Sequence, residues 1–204
     1  MKKRIIRIAS LALVILGMVS CSDEQETALR PQDAKSIPMT FLVSHPGQAS
    51  RATETKFEKN DKIGLYVADA KAQLEIGGNL VNNEALTYDG SKWAAARALY
   101  WDKGTYTAYA YYPYIENVSS ITDQSFSVAL DQRVAKTATS LGGYEASDLL
   151  FATSKNISAS ASPINLTFKH IMSKLKIRLV KGEDFEGEMP TTADVYIHNT
   201  VPTA

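Results

Sequence analysis

The 204-residue sequence predicts an all-β protein, and three observations carry that prediction. Apolar residues recur at every second position in several separate segments, the period of a strand with one face inward and one in water. Turn signals fall between these segments, at Gly77-Gly78-Asn79, Asp89-Gly90, Lys103-Gly104 and Gly142-Gly143. No stretch of ordinary helix length keeps a 3.6-residue period. Many short strands with regular turns build a sandwich or barrel rather than an α/β enzyme core.

The chain begins with a segment of a different kind. Lys2, Lys3, Arg4 and Arg7 precede an apolar run over residues 8–19, and Ser20-Cys21 ends it. Basic, apolar and small-residue regions in that order predict a secretory signal over residues 1–20. The run is short for a membrane span, which needs roughly 20 apolar residues. Cys21 is the sole cysteine, and its position resembles the lipobox of bacterial lipoproteins, with Met18 where that family usually has Leu, Ile or Val. The resemblance implies a lipidated Cys21 at the mature N-terminus, anchored in the outer membrane through its acyl chains. An ordinary signal peptide with an incidental cysteine is the alternative. Ser22-Asp23-Glu24-Gln25-Glu26 follows and resembles the acidic export signal of surface lipoproteins; a solvated acidic run is the plainer reading. Residues 21–36 are polar and aperiodic, the composition of a flexible tether.

The strand pattern starts with Ile37, Met39, Phe41 and Val43, alternating with Pro38, Thr40, Leu42 and Ser44. It returns in Ile63/Leu65/Val67, in Phe126/Val128/Leu130, in Ile164/Leu166/Phe168 and in Leu175/Ile177/Leu179. Residues 37–204 thus read as one β domain, a sandwich or a barrel. Asp194-Val195-Tyr196-Ile197-His198 resembles the beginning of a further strand, whose partner would have to follow Ala204. Either a short or a truncated sequence accounts for this.

Composition excludes several functions. Without the four basic residues of the signal, 18 of the 22 Lys+Arg remain against 22 Asp+Glu, a net charge of −4. A mildly acidic chain lacks the concentrated positive charge of a nucleic-acid surface. With Cys21 lipidated, disulfides and thiol chemistry drop out. His45, His170 and His198 sit in separate segments without zinc-ligand spacing. Asp89, Asp102, Asp131 and Asp148 lie near turns, where aspartate is ordinary turn chemistry. No nucleophile, base or phosphate-binding motif stands out, so neither catalytic, cofactor nor metal residues are assigned and no enzyme is expected.

Trp93, Tyr100, Trp101, Tyr106, Tyr109, Tyr111, Tyr112 and Tyr114 crowd into a short span. Buried, they fill the core and its edge, with polar tips reaching water. Exposed on one face, they would stack on sugar rings and make a surface glycan-binding lipoprotein. The core-and-edge reading is favoured, because the tyrosines of residues 105–114 fall on both faces.

Several motifs then occur in a recognisable order. Lys59-Asn60-Asp61-Lys62-Ile63-Gly64-Leu65-Tyr66-Val67, Tyr88-Asp89-Gly90-Ser91-Lys92-Trp93 and Leu99-Tyr100-Trp101 come first. Tyr109-Ala110-Tyr111-Tyr112-Pro113-Tyr114, Asp131-Gln132, Ser147-Asp148-Leu149-Leu150 and Phe168-Lys169-His170-Ile171-Met172-Ser173-Lys174-Leu175 follow. Together, over about residues 37–179, they resemble the fimbrillin-like lipoproteins, with Asn60 where the family usually has Gly. The resemblance implies a transthyretin-like β-sandwich and a structural or adhesive subunit of a surface fimbria, a type V pilus. It also implies assembly by proteolysis-triggered strand exchange with other fimbrial subunits, and a host or bacterial surface receptor. An arginine-specific cut would fall at Arg51, whose alternative reading is a common loop arginine. The exchangeable strand would carry Ile37, Met39, Phe41 and Val43.

Overall fold

The computed structural model describes residues 37–47 and 56–204. Its strands, in chain order, are β1 (Phe41–Ser44), β2 (Lys62–Asp69), β3 (Val81–Tyr88), β4 (Trp93–Ala95), β5 (Thr105–Tyr112), β6 (Leu150–Ser158), β7 (Ile164–Thr167) and β8 (Lys169–His170). A 3-10 turn at Glu145–Ser147 precedes β6. Six strands form one antiparallel sheet in the order β4-β3-β2-β5-β6-β8, and β1 pairs with β7 in a second, parallel sheet. The all-β class expected from the alternation and turns holds.

The core lies between the sheets. Ile63, Leu65 and Val67 on β2, Leu86 on β3, Leu150 on β6, and Ile164 and Leu166 on β7 are buried in one cluster with Trp101 and Phe168. Leu65 and Val67 stand opposite Ala110 and Ala108 of β5. Small residues beside large ones let facing layers interdigitate.

Four strand expectations need correction. β2 was expected to keep one face in water, yet Gly64, Tyr66 and Ala68 are buried as well. Residues 113–126 explain this by folding over the outer face. Asn83 Nδ2 donates to the Ile115 carbonyl at 2.8 Å, and Tyr66, Tyr111, Ile121 and Phe126 line the cleft beneath.

The alternation at Phe126, Val128 and Leu130 does not form a strand. Phe126 is buried and exchanges two backbone bonds with Ala204 (2.8 and 2.9 Å), whereas Leu130 stands fully in solvent. Residues 174–179 and 194–198 likewise form no strand, and Leu175, Ile177 and Leu179 are exposed. An alternating segment becomes a strand only where a neighbouring edge satisfies its backbone. β8 ends the large sheet, and among the described residues no edge meets these two segments.

Candidate functional site: the seat of the N-terminal ribbon

The first described residues form a ribbon whose side chains divide cleanly between two faces. Met39 is buried, and Ile37, Phe41 and Val43 are partly buried against the core cluster. Leu42, on the opposite face, is 57% exposed. The expected exchangeable residues are therefore the ones packed between the layers, as their period-two spacing requires.

The ribbon is held by different edges along its length. Met39 N–H donates to the Leu99 carbonyl at 2.8 Å, and Trp101 N–H donates to the Ile37 carbonyl at 3.0 Å. Further on, the other edge pairs with β7, so that Phe41 faces Ile164 and Val43 faces Leu166. Ile164 N–H donates to the Thr40 carbonyl (2.8 Å) and Phe168 N–H to the Ser44 carbonyl (3.0 Å). Among the described residues no strand pairs with the remaining edge of β1. A groove runs alongside, lined by Phe41, Val43, His45, Phe57, Tyr88 and Trp93.

The segment that leads into β2 is fixed by several contacts. Phe57 meets His45, Trp93, Tyr112 and Phe168 edge-on, with ring centroids 4.9, 5.0, 5.6 and 5.6 Å away. Such edge-to-face contacts add about 0.5–1.5 kcal/mol each beyond area burial. Asp61 is buried and accepts the Glu58 N–H at 2.7 Å. Its other oxygen receives Lys136 Nζ at 2.6 Å, and Lys136 also reaches Glu58 at 3.1 Å. Burial is the largest single influence on Lys136 and opposes its charge, but the hydrogen bonds to Asp61 and Glu58 and their charges together hold the ammonium above its ordinary value. Asn60 adopts φ +75°, a left-handed conformation that glycine takes without strain and asparagine tolerates.

Of the residues singled out from sequence, Cys21 and Arg51 lie outside the described residues. The four ribbon residues come together on one face. Trp93 and Trp101 are buried in the core, which removes them from any sugar-stacking platform. Asp89 caps its own turn, accepting from the Ser91 and Lys92 amides. His45 and His170 meet at a centroid distance of 5.9 Å, and His170 holds Asp148 at 2.7 Å, while His198 stays apart in an exposed segment. Neither this cluster nor the Lys136 contact with Asp61 was foreseen. His45 and His170 are far apart in the chain, as are Lys136 and Asp61, and no local spacing signals such a contact.

A profile of fimbrillin-like proteins matches residues 50–204. The chain belongs to the fimbrillin-like family. A curated relative, described as a candidate fimbrium tip subunit of Bacteroides ovatus, is 30% identical over 129 residues. That alignment takes in 59% of this chain and 23% of the relative, so it spans about a quarter of the relative's length. Two solved structures, described as candidate cell adhesion proteins of Bacteroides ovatus and Bacteroides uniformis, are 20% and 19% identical, with TM-scores of 0.47 and 0.44. The matches cover 68% and 65% of this chain, and 53% and 48% of those chains.

Proposed function

We propose that the protein is a structural or adhesive subunit of a surface fimbria, tethered to the outer membrane through lipid on Cys21 and assembled by exchange of its first strand. Membership of the fimbrillin-like family supports the fimbrial role, as does the relative described as a candidate tip subunit. The single observation that carries the exchange is the seat of the ribbon. Four apolar side chains enter the core from a segment bonded mainly by its backbone.

The energetics suit a replaceable part. Each apolar side chain contributes roughly 1.5–3 kcal/mol when fully buried, an upper bound for the partly buried Ile37, Phe41 and Val43. Removing the ribbon would expose Ile164, Leu166 and the edge of β7. A strand of similar alternation from a neighbouring subunit restores both, with backbone bonds giving affinity and alternate side chains giving fit. The intact ribbon occupies that site and blocks assembly. Cleavage at Arg51 severs it from Phe57 and the body. Two acyl chains on Cys21 would hold the precursor stably at the membrane.

Treating the purified chain with an arginine-specific protease tests this reading. Cleavage at Arg51 should produce ladders of higher-order species on a non-boiled gel, and Arg51→Ala should abolish both. Complete cleavage with no species above the monomer, under conditions where added ribbon peptide also fails to bind, would refute it.

A further inference from the structure

The residue that ends the ribbon makes a contact that a proton would break. His45 directly follows β1, and its ring packs edge-on against Phe57 and against His170 of β8. His45 Nδ1 accepts the Gly47 N–H at 3.2 Å, closing a turn directly after β1. A ring nitrogen accepts a hydrogen bond only while it carries no proton. His170 Nδ1 is hydrogen-bonded to Asp148 Oδ1 at 2.7 Å, and its Nε2 is buried with no hydrogen-bond partner among the described residues. An extra charge on His45 would thus arise beside a second imidazole, in a site walled on another side by Phe57.

We propose that His45 is an acid-sensitive latch on the ribbon: protonation of its ring opens the Gly47 turn and frees the end of β1 from β7. The neighbouring charges work in both directions. Asp148, Glu145 of the 3-10 turn, and Glu58 and Asp61 before β2 face the site as acids. Lys56, Lys136 and His170 face it as bases. Asp148 is already engaged by His170, and Asp61 and Glu58 by Lys136. Burial outweighs the attraction of Asp148 and Asp61, to which His170 adds repulsion, and holds His45 below its ordinary value of 6.5. The undocked ring therefore binds a proton more readily than the docked one. Docking keeps its full stability above about pH 6.5 and loses it as pH falls through that value towards the docked ring's lower one. The latch rests on the ribbon's seat alone and not on exchange between copies.

Amide hydrogen exchange on the intact, uncut chain tests the latch without any assembly. After correction for intrinsic rates, the Leu42 and Ser44 amides, on the edge that faces β7, should exchange faster at about pH 5 than at about pH 7.5, while those of β2 hold steady. His45→Asn keeps a side-chain acceptor for Gly47 but cannot titrate, and should remove the dependence. An NMR titration of the unmodified chain supplies a second readout. The His45 ring should titrate below the ordinary histidine value, in step with shifts in the ribbon amides. Equal protection at both pH values, a dependence that survives His45→Asn, or a His45 ring titrating at or above 6.5 would each overturn the proposal.

Discussion

At the scale of single residues, the sandwich depends on a few positions where one atom more would not fit. Gly64 lies on the outer face of β2, directly under the Tyr111 ring, and a Cβ there would come within 2.2 Å of the ring. The ring has little freedom to move aside, because its hydroxyl is within hydrogen-bond distance of Asn83 Oδ1 (2.7 Å) and the Ile115 carbonyl (3.0 Å). Burial is also the main reason the Tyr111 phenol is pushed up to about 12. Gly64→Ala should therefore destabilise the chain by about 1–3 kcal/mol, as overpacking does, and lower the urea midpoint without changing the slope. No measurable shift in that midpoint would mean that the loop over residues 113–126 is not fixed on the sheet as described. The glycine was readable in the sequence, but the ring above it was not, since Tyr111 comes from a different strand.

At the scale of elements, period two located strands only where the structure supplied a partner. β2 and β7 lie where the alternation put them, and the ribbon turns the four side chains expected of it towards the core, Met39 buried and the others partly so. β3 and β6 gave no such signal. Val81–Tyr88 carries Asn82, Asn83 and Glu84, and Leu150–Ser158 is mostly polar on its outer face. These strands are made by pairing with β2 and β5 rather than by an apolar stripe of their own. Conversely, Leu175, Ile177 and Leu179 have the stripe without the partner. For the ribbon, the two faces make opposite predictions. Phe41→Asp should place a carboxylate against the core and speed amide exchange across β1. Leu42→Asp, one residue away on the open face, should change stability by less than about 0.5 kcal/mol. Equal effects from the two substitutions would contradict the described register.

At the scale of the whole molecule, the ribbon and the body are fixed by different means. The body comprises the six-stranded sheet, β7 and most of the core, and its first segment is pinned by Phe57 among aromatic rings and by Asp61 under Lys136. The ribbon contributes few side chains, one short ladder and a single bridge at Pro38 and Tyr100. A cut between the two would leave the stronger part folded and the weaker part free to dissociate. The central claim is thus that an identical strand from outside can take the ribbon's place. Its most direct measurement uses an isotope-labelled peptide of residues 37–44, mixed with chain cut at Arg51 and with uncut chain, and followed by native mass spectrometry. Cut chain should lose its own ribbon and retain one labelled peptide, and uncut chain should take up none. Uptake by neither form, with the original ribbon still bound after cleavage, would contradict the account.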